Sequence, residues 1–167
     1  MDTKESLYRV AREQYGPNYD AHILEQYKVY VEMADRISAR RQSANNFFLS
    51  INTAVLAFLG IAGRLGFTNL RDFWAIIVSI SGIVLCYTWY RLIRSYRDLN
   101  TGKYTVIHCI EAHLPMAPYD AEWVAVGQGK DSKLYLPFTH IEIRIPWIFI
   151  GLYAVIIVFT LWTTWQC

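Results

Sequence analysis

Three apolar blocks divide the chain. Residues 47–63, 73–90 and 145–165 each approach the roughly 20 consecutive apolar residues that a membrane-spanning helix needs. The second and third blocks are nearly free of charge. The first is shorter and contains Asn52 and Thr53, so a buried helix of a soluble core is its competing reading, and a two-span protein follows from that. Ahead of the first block, "AHILEQYKVYVEMADRISARRQSANNF" has a helical period, with Ile23, Tyr27, Tyr30, Ala34 and Ile37 stepping by four and three. Asp20, after the breaker "GPNY", is a candidate N-cap, and no further Gly or Pro follows before Gly60. One helix is therefore predicted from about Ala21 to Ala62, some 60 Å long at about 1.5 Å per residue.

The pattern predicts an all-α membrane protein with about three transmembrane helices, the first extended as a long cytoplasmic helix, plus a small cytoplasmic insert. Its segments are 1–19, 20–63, 73–90, 91–144 and 145–167. An apolar stripe on a projecting helix must be covered. For Ile23, Tyr27, Tyr30, Ala34 and Ile37 the cover is either the 91–144 region or a neighbouring subunit, which makes the stripe an oligomer-contact candidate. A helix lying flat on anionic lipid is the weaker alternative, because Glu25, Glu32 and Asp35 interleave the tyrosines.

Helical projection of the first block puts Phe47, Phe48, Ile51 and Phe58 on a lipid side. Asn45, Asn46, Ser50, Asn52 and Thr53 fall on the other side, with Arg40 and Arg41 at the cytoplasmic mouth. Two readings stand for this polar face. Its groups either hydrogen-bond to neighbouring helices, or line a hydrated path ringed by several copies, since three helices cannot enclose one. In the second block Ala75, Ser79, Gly82 and Cys86 form a small-residue stripe suited to close helix packing.

Basic residues set the expected orientation. Lys28, Arg36, Arg40 and Arg41 precede the first block, Arg91, Arg94, Arg97 and Lys103 follow the second, and Arg144 abuts the third. This places the N-terminus and residues 91–144 in the cytoplasm, and the 64–72 connection and the C-terminus outside. Trp74, Trp89, Trp147, Trp162 and Trp165 sit at block ends, as interfacial anchors do. The polar N-terminus lacks the apolar core of a signal peptide. A net charge of +2 gives no basis for direct nucleic-acid binding.

Candidate chemistry is sparse. Cys86, Cys109 and Cys167 show neither paired metal spacing nor a disulfide framework. Within "KYTVIHCIEAHL", read as an amphipathic helix, His108 and Glu111 share a face, but Cys109 and His113 turn elsewhere and no complete ligand set emerges. Asp120 is a candidate cap for a short helix through Val126, and "THIE" (Thr139 to Glu142) is a capping box for the third membrane helix. No nucleophile elbow or phosphate-cradling glycine loop is present. The expectation is a protein without enzymatic activity, metal or cofactor.

The phrases "YKVYVEMADRISARRQSANNFFLSINTAVLAFLG", "NTGKYTVIHCIEAHLPMAPYDAEW" and "KLYLPFTHIEIRIPWIF" resemble the RipA-type family of small octameric bacterial membrane proteins, from about residue 20 to the end. That family is similar to the SLATT effectors and to the ring-forming accessory proteins of type VI-B CRISPR systems. The resemblance implies a homo-oligomer, an octamer, in the inner membrane, and an antiviral role by permeabilisation or depolarisation. Some relatives carry an R-x4–6-H ribonuclease-type motif, which this chain lacks. The leading expectation is thus a ring-forming membrane effector in contact with lipid, itself and a cytoplasmic defence partner. The rival is a membrane-anchored interaction module that recruits a cytoplasmic partner without conduction.

Overall fold

The computed structural model describes residues 6–64, 70–130 and 141–166. Among the described residues, the complete α-helices are α1 (Arg12–Tyr15), α2 (Tyr19–Arg64), α3 (Leu70–Glu111), α4 (Pro118–Ala125) and α5 (Arg144–Gln166), with a 3-10 turn at Gly127–Gly129. No strand occurs among the described residues. Among the described residues, three helices are long and apolar enough to cross a membrane: Tyr19–Ala62, Asp72–Glu111 and Arg144–Gln166.

Gly16 breaks the chain between α1 and α2 with φ 99°, a left-handed conformation that glycine adopts without a Cβ penalty. Asp20 lies in the first turn of α2, beside the positive end of the helix dipole, and pairs with Arg12. The helix then continues unbroken for 46 residues. Where the hydropathy pattern separates a membrane block from an insert at residue 91, α3 shows no boundary and runs on to Glu111. The reason is local: no proline interrupts residues 70–111, and Arg91, Arg94 and Arg97 are good helix formers.

The short helix starts at Pro118, two residues before the expected cap Asp120. Pro occupies the first turn, where its missing N–H costs nothing, and no side chain from the N-cap position caps the helix. Thr139 of the expected capping box, Cys167 and residues 65–69 of the expected connection lie outside the described residues.

The chain divides into two compact units. One comprises residues up to Arg40 together with those from Tyr96 through the α4 region. The other comprises Arg41–Ser95 and residues 141–166.

The second unit is a three-helix packing in which α2 and α3 turn inward rows stepping by three and four and α5 buries a row stepping by seven, two turns at a time. On α2 the row includes Asn45, Phe48 and Asn52; on α3, Ser79, Gly82, Cys86, Trp89 and Ile93; on α5, Pro146, Tyr153 and Thr160. Such alternation keeps one face turned toward its neighbours over several turns. Trp89, 1% exposed, stacks on Phe48 with ring centroids 5.7 Å apart and an interplanar angle of 7°, and Phe149 tilts against its other side. Two sequence-based expectations change here. Trp89 is a core residue, not an interfacial anchor, and Phe48 faces the other helices, not lipid. Trp74, Trp147, Trp162 and Trp165 are exposed.

In the first unit, the N-terminal half of α2 packs on the C-terminal half of α3. Ala34, Ile107 and Ile110 are buried between them. Lys103 is buried as well, with its ammonium 4.5 Å from the Tyr30 ring centroid, a cation–π contact that partly replaces water. Tyr27 donates a hydrogen bond of 2.8 Å to Glu111. Three of the stripe residues offered above as oligomer contacts, Tyr27, Tyr30 and Ala34, therefore have partners or cover inside a single chain. Ile23 and Ile37 are half-buried.

Candidate functional site

The five polar residues of the first membrane block do not share a face. Asn45 and Asn46 are adjacent, so they lie about 100° apart around the helix, the turn set by 3.6 residues per turn. The structure resolves the five into an inward pair, Asn45 and Asn52, and an outward trio, Asn46, Ser50 and Thr53.

Asn52 is fully buried and joins all three helices of its unit. Its Oδ1 accepts from the Cys86 thiol at 3.1 Å and from the Tyr153 hydroxyl at 3.1 Å, while its Nδ2 donates to the Phe48 carbonyl at 2.8 Å. Cys86 thus has a hydrogen-bonding role in addition to that of a packed small residue. The Tyr153 ring lies against Gly82, so closely that a Cβ there would clash with its Cζ and Cε atoms. Ser79 is also fully buried, and Ala75 is half-buried.

Asn45 links the helices a second time. Its Oδ1 accepts from the Trp89 indole N–H at 2.9 Å and its Nδ2 donates to Glu142 at 3.0 Å. The Glu142 carboxylate also lies 3.8 Å from the Arg41 guanidinium. Arg41 is therefore turned toward its own helices, whereas Arg40 is exposed. Sequence reasoning missed Tyr153, Trp89 and Glu142 as partners of these amides. The signal that could have found Trp89 and Tyr153 is the helical stepping of their rows, by three and four on α3 and by seven on α5.

The outward face is different. Gln42, Asn46, Ser50, Thr53, Ala57 and Gly60 step by four, four, three, four and three along α2, and all are exposed. Thr53 satisfies its hydroxyl by donating to the Leu49 carbonyl at 2.8 Å. Asn46 and Ser50 make no side-chain hydrogen bond among the described residues. An unpaired amide or hydroxyl in hydrocarbon costs about 2–7 kcal/mol, so a single chain leaves this face incomplete.

The family model of the octameric membrane protein family (8xMP) matches residues 24–162. The chain belongs to the octameric membrane protein family. It is accordingly a homo-oligomeric membrane protein, and the match covers both the inward amides and the outward face of α2. Neither the curated proteins nor the solved structures contain a significant match. The inward and outward polar groups are thus distinct: Asn45 and Asn52 hold one subunit together, whereas Asn46, Ser50 and Thr53 are exposed on its surface.

Asn52→Leu is therefore expected to destabilise the subunit. It removes the interhelical hydrogen bonds from Cys86 and Tyr153 and leaves the Tyr153 hydroxyl only the Asn52 carbonyl at 3.5 Å, for a loss of about 2 kcal/mol. Unfolding of the detergent-solubilised protein measures it, and an unchanged transition contradicts the role given to Asn52.

In the first unit, His108, Glu111 and Asp120 bring three donor atoms within 4.8 Å of one another. Cys109 and His113 are not part of the group. Their partner is Tyr8, whose hydroxyl lies 3.0 Å from His113 Nδ1 and donates to the Cys109 carbonyl at 3.0 Å.

Proposed function

We propose that the protein forms a ring of eight subunits around a path through the bacterial inner membrane, and that it acts as a permeabilising or depolarising effector in antiviral defence. The exposed polar face of α2 carries the reading: Asn46 and Ser50 make no side-chain hydrogen bond among the described residues, and Thr53, bonded only to its own helix, is exposed beside them. Amide, hydroxyl and small residues succeed one another along this face, giving hydrated donors and acceptors near one end and slender helix backbones at Ala57 and Gly60. Basic residues favour a cytoplasmic N-terminus and an outside C-terminus. The defence role rests on the resemblance to SLATT and CRISPR-accessory proteins. No enzymatic step is assigned.

The test is ion flux from liposomes reconstituted with the purified octamer. The double substitution Asn46→Leu, Ser50→Leu is expected to lower flux by about tenfold or more, the consequence of raising a barrier by about 1.4 kcal/mol. Undiminished flux through an intact variant octamer, or none through the wild-type octamer, overturns the reading. A second reading has its own observation: Met116, Trp123 and Val124 are exposed apolar residues around α4. They suit a cytoplasmic protein partner, in which case the membrane helices serve as anchor. Substituting them would then abolish function while leaving flux untouched.

A further inference from the structure

We propose that His108, Glu111 and Asp120 form a binding site for a divalent transition-metal ion, which clamps the start of α4 to the end of α3. The three residues come from two helices. His108 and Glu111 sit one turn apart on α3, and the turn at residues 112–117 returns Asp120 in the first turn of α4 to their side. His108 Nδ1 lies 2.6 Å from Asp120 Oδ1 and 3.9 Å from Glu111 Oε2.

Three observations favour a metal over a simple polar cluster. First, His108 Nδ1 is buried and close to a carboxylate, yet no properly aligned hydrogen bond forms. The three donor atoms lie within 4.8 Å of one another, and His108 Nδ1 is not satisfied by either carboxylate. Second, the Glu111 side chain is completely buried and its orientation is fixed by three donors. Tyr27 hydroxyl (2.8 Å) and Tyr119 N–H (3.1 Å) bond to Oε1, and Asp120 N–H (3.2 Å) bonds to Oε2. A carboxylate has about four lone-pair positions, so one remains on Oε2, whose neighbour in the cluster is His108. Outer hydrogen bonds of this kind are what orient a metal-binding carboxylate. Third, His108 and Asp120 retain 31% and 53% of their side-chain exposure, which gives an ion a route in.

The spacing is close to what an ion needs. Ligand bonds of about 2.0–2.2 Å in tetrahedral geometry hold donor atoms about 3.3 Å apart. The observed 2.6 and 3.9 Å from His108 lie on either side of that value, and all three donor atoms lie within 4.8 Å of one another, so side-chain adjustment of roughly 1–1.5 Å completes the site. One imidazole and two carboxylates select a borderline first-row ion such as zinc over calcium or magnesium, which take oxygen ligands. A fourth position stays open to water.

The experiment is calorimetric titration of the chelator-stripped, full-length octamer with zinc chloride, which does not depend on conduction. One zinc per chain is expected. His108→Ala and Asp120→Asn should each weaken uptake by about 100-fold or more, a loss at least as large as that from removing an outer-shell partner, and His113→Ala should leave it unchanged. Variants are compared as intact octamers on gel filtration. Cobalt substitution gives a second readout, expected to lack a thiolate charge-transfer band. Absence of stoichiometric uptake, retention of uptake by both cluster variants, its loss in His113→Ala, or a thiolate band implicating Cys109 each overturns the proposal.

Discussion

Gly82→Ala is expected to dismantle the membrane unit, although it adds one methyl group. The Cβ would clash with the ring of Tyr153, which is fully buried. A flexible side chain could swing aside. This ring cannot, because its hydroxyl is tied to Asn52 at 3.1 Å, and Asn52 in turn holds Cys86 at 3.1 Å. Moving the ring thus breaks the polar contact among all three helices. Overpacking alone costs about 1–3 kcal/mol, and releasing a buried hydroxyl adds about 1–3 kcal/mol. Together they reach about 2–6 kcal/mol, much of the typical stability of a small domain, about 5–15 kcal/mol. The octamer should dissociate or unfold at markedly lower temperature. Combining Gly82→Ala with Tyr153→Ala should then cost less than the sum of the single changes, since both act on one contact. Strict additivity in that cycle would show that ring and glycine do not meet.

Much of this architecture can be read along the chain, and the failures have a common cause. The start of α2 is marked by "GPN" and its length by the absence of any later breaker, so the observed Tyr19–Arg64 lies within a residue or two of expectation. Faces within the membrane are harder. In water, inside and outside differ in polarity, and a helical projection separates them. In lipid the solvent is as apolar as leucine, so Phe48 and Asn52 share a buried row while Asn46 and Phe47 are both exposed. Periodicity of size and step, as in Ser79, Gly82, Cys86, Trp89 and Ile93, carries more information there than polarity. Trp89 misleads for a related reason: beside Tyr90 and Arg91 it has the composition of an interface, and only tertiary packing shows its indole spent on Asn45. The continuation of α3 past residue 91 is hidden because a change in hydropathy is not a change in backbone conformation.

The grouping of Asp120 with His108 and Glu111 could not be read at all. Helical spacing brings His108 and Glu111 together, but Asp120 joins them through a six-residue reversal, residues 112–117, whose path no local pattern fixes. The purpose of that reversal becomes clear from Glu111. Helix α4 begins without a side-chain cap of its own, and its first free N–H groups, those of Tyr119 and Asp120, bond to Glu111 Oε1 and Oε2. A carboxylate from the preceding helix thus does the work of an N-cap and meets the positive end of the dipole. This works with or without an ion.

Glu111→Ala is accordingly expected to release α4 from α3 in metal-free protein. It deprives the Tyr27 hydroxyl and two backbone amides of their acceptor, at about 1–3 kcal/mol for each donor that water cannot reach. Because α4 has no buried residues, its amides can turn to water once it detaches, which makes local opening cheaper than global unfolding. Amide exchange in residues 118–125 should accelerate by about 100-fold, equivalent to about 2.7 kcal/mol, while protection in α5 stays as it was. Tyr27→Phe removes one donor and strands none, so it should change exchange in α4 far less. Burial, then the hydrogen bond to Glu111 and its charge, raise the Tyr27 phenol above its ordinary value of 10.0. A raised folded-state value means that the Tyr27 contribution is complete below the unfolded phenol's range and is lost only as pH climbs beyond it. Glu111 should therefore hold α4 with undiminished help from Tyr27 at every neutral or mildly alkaline pH. Equal exchange in wild type and Glu111→Ala would mean that α4 is positioned by something other than this carboxylate.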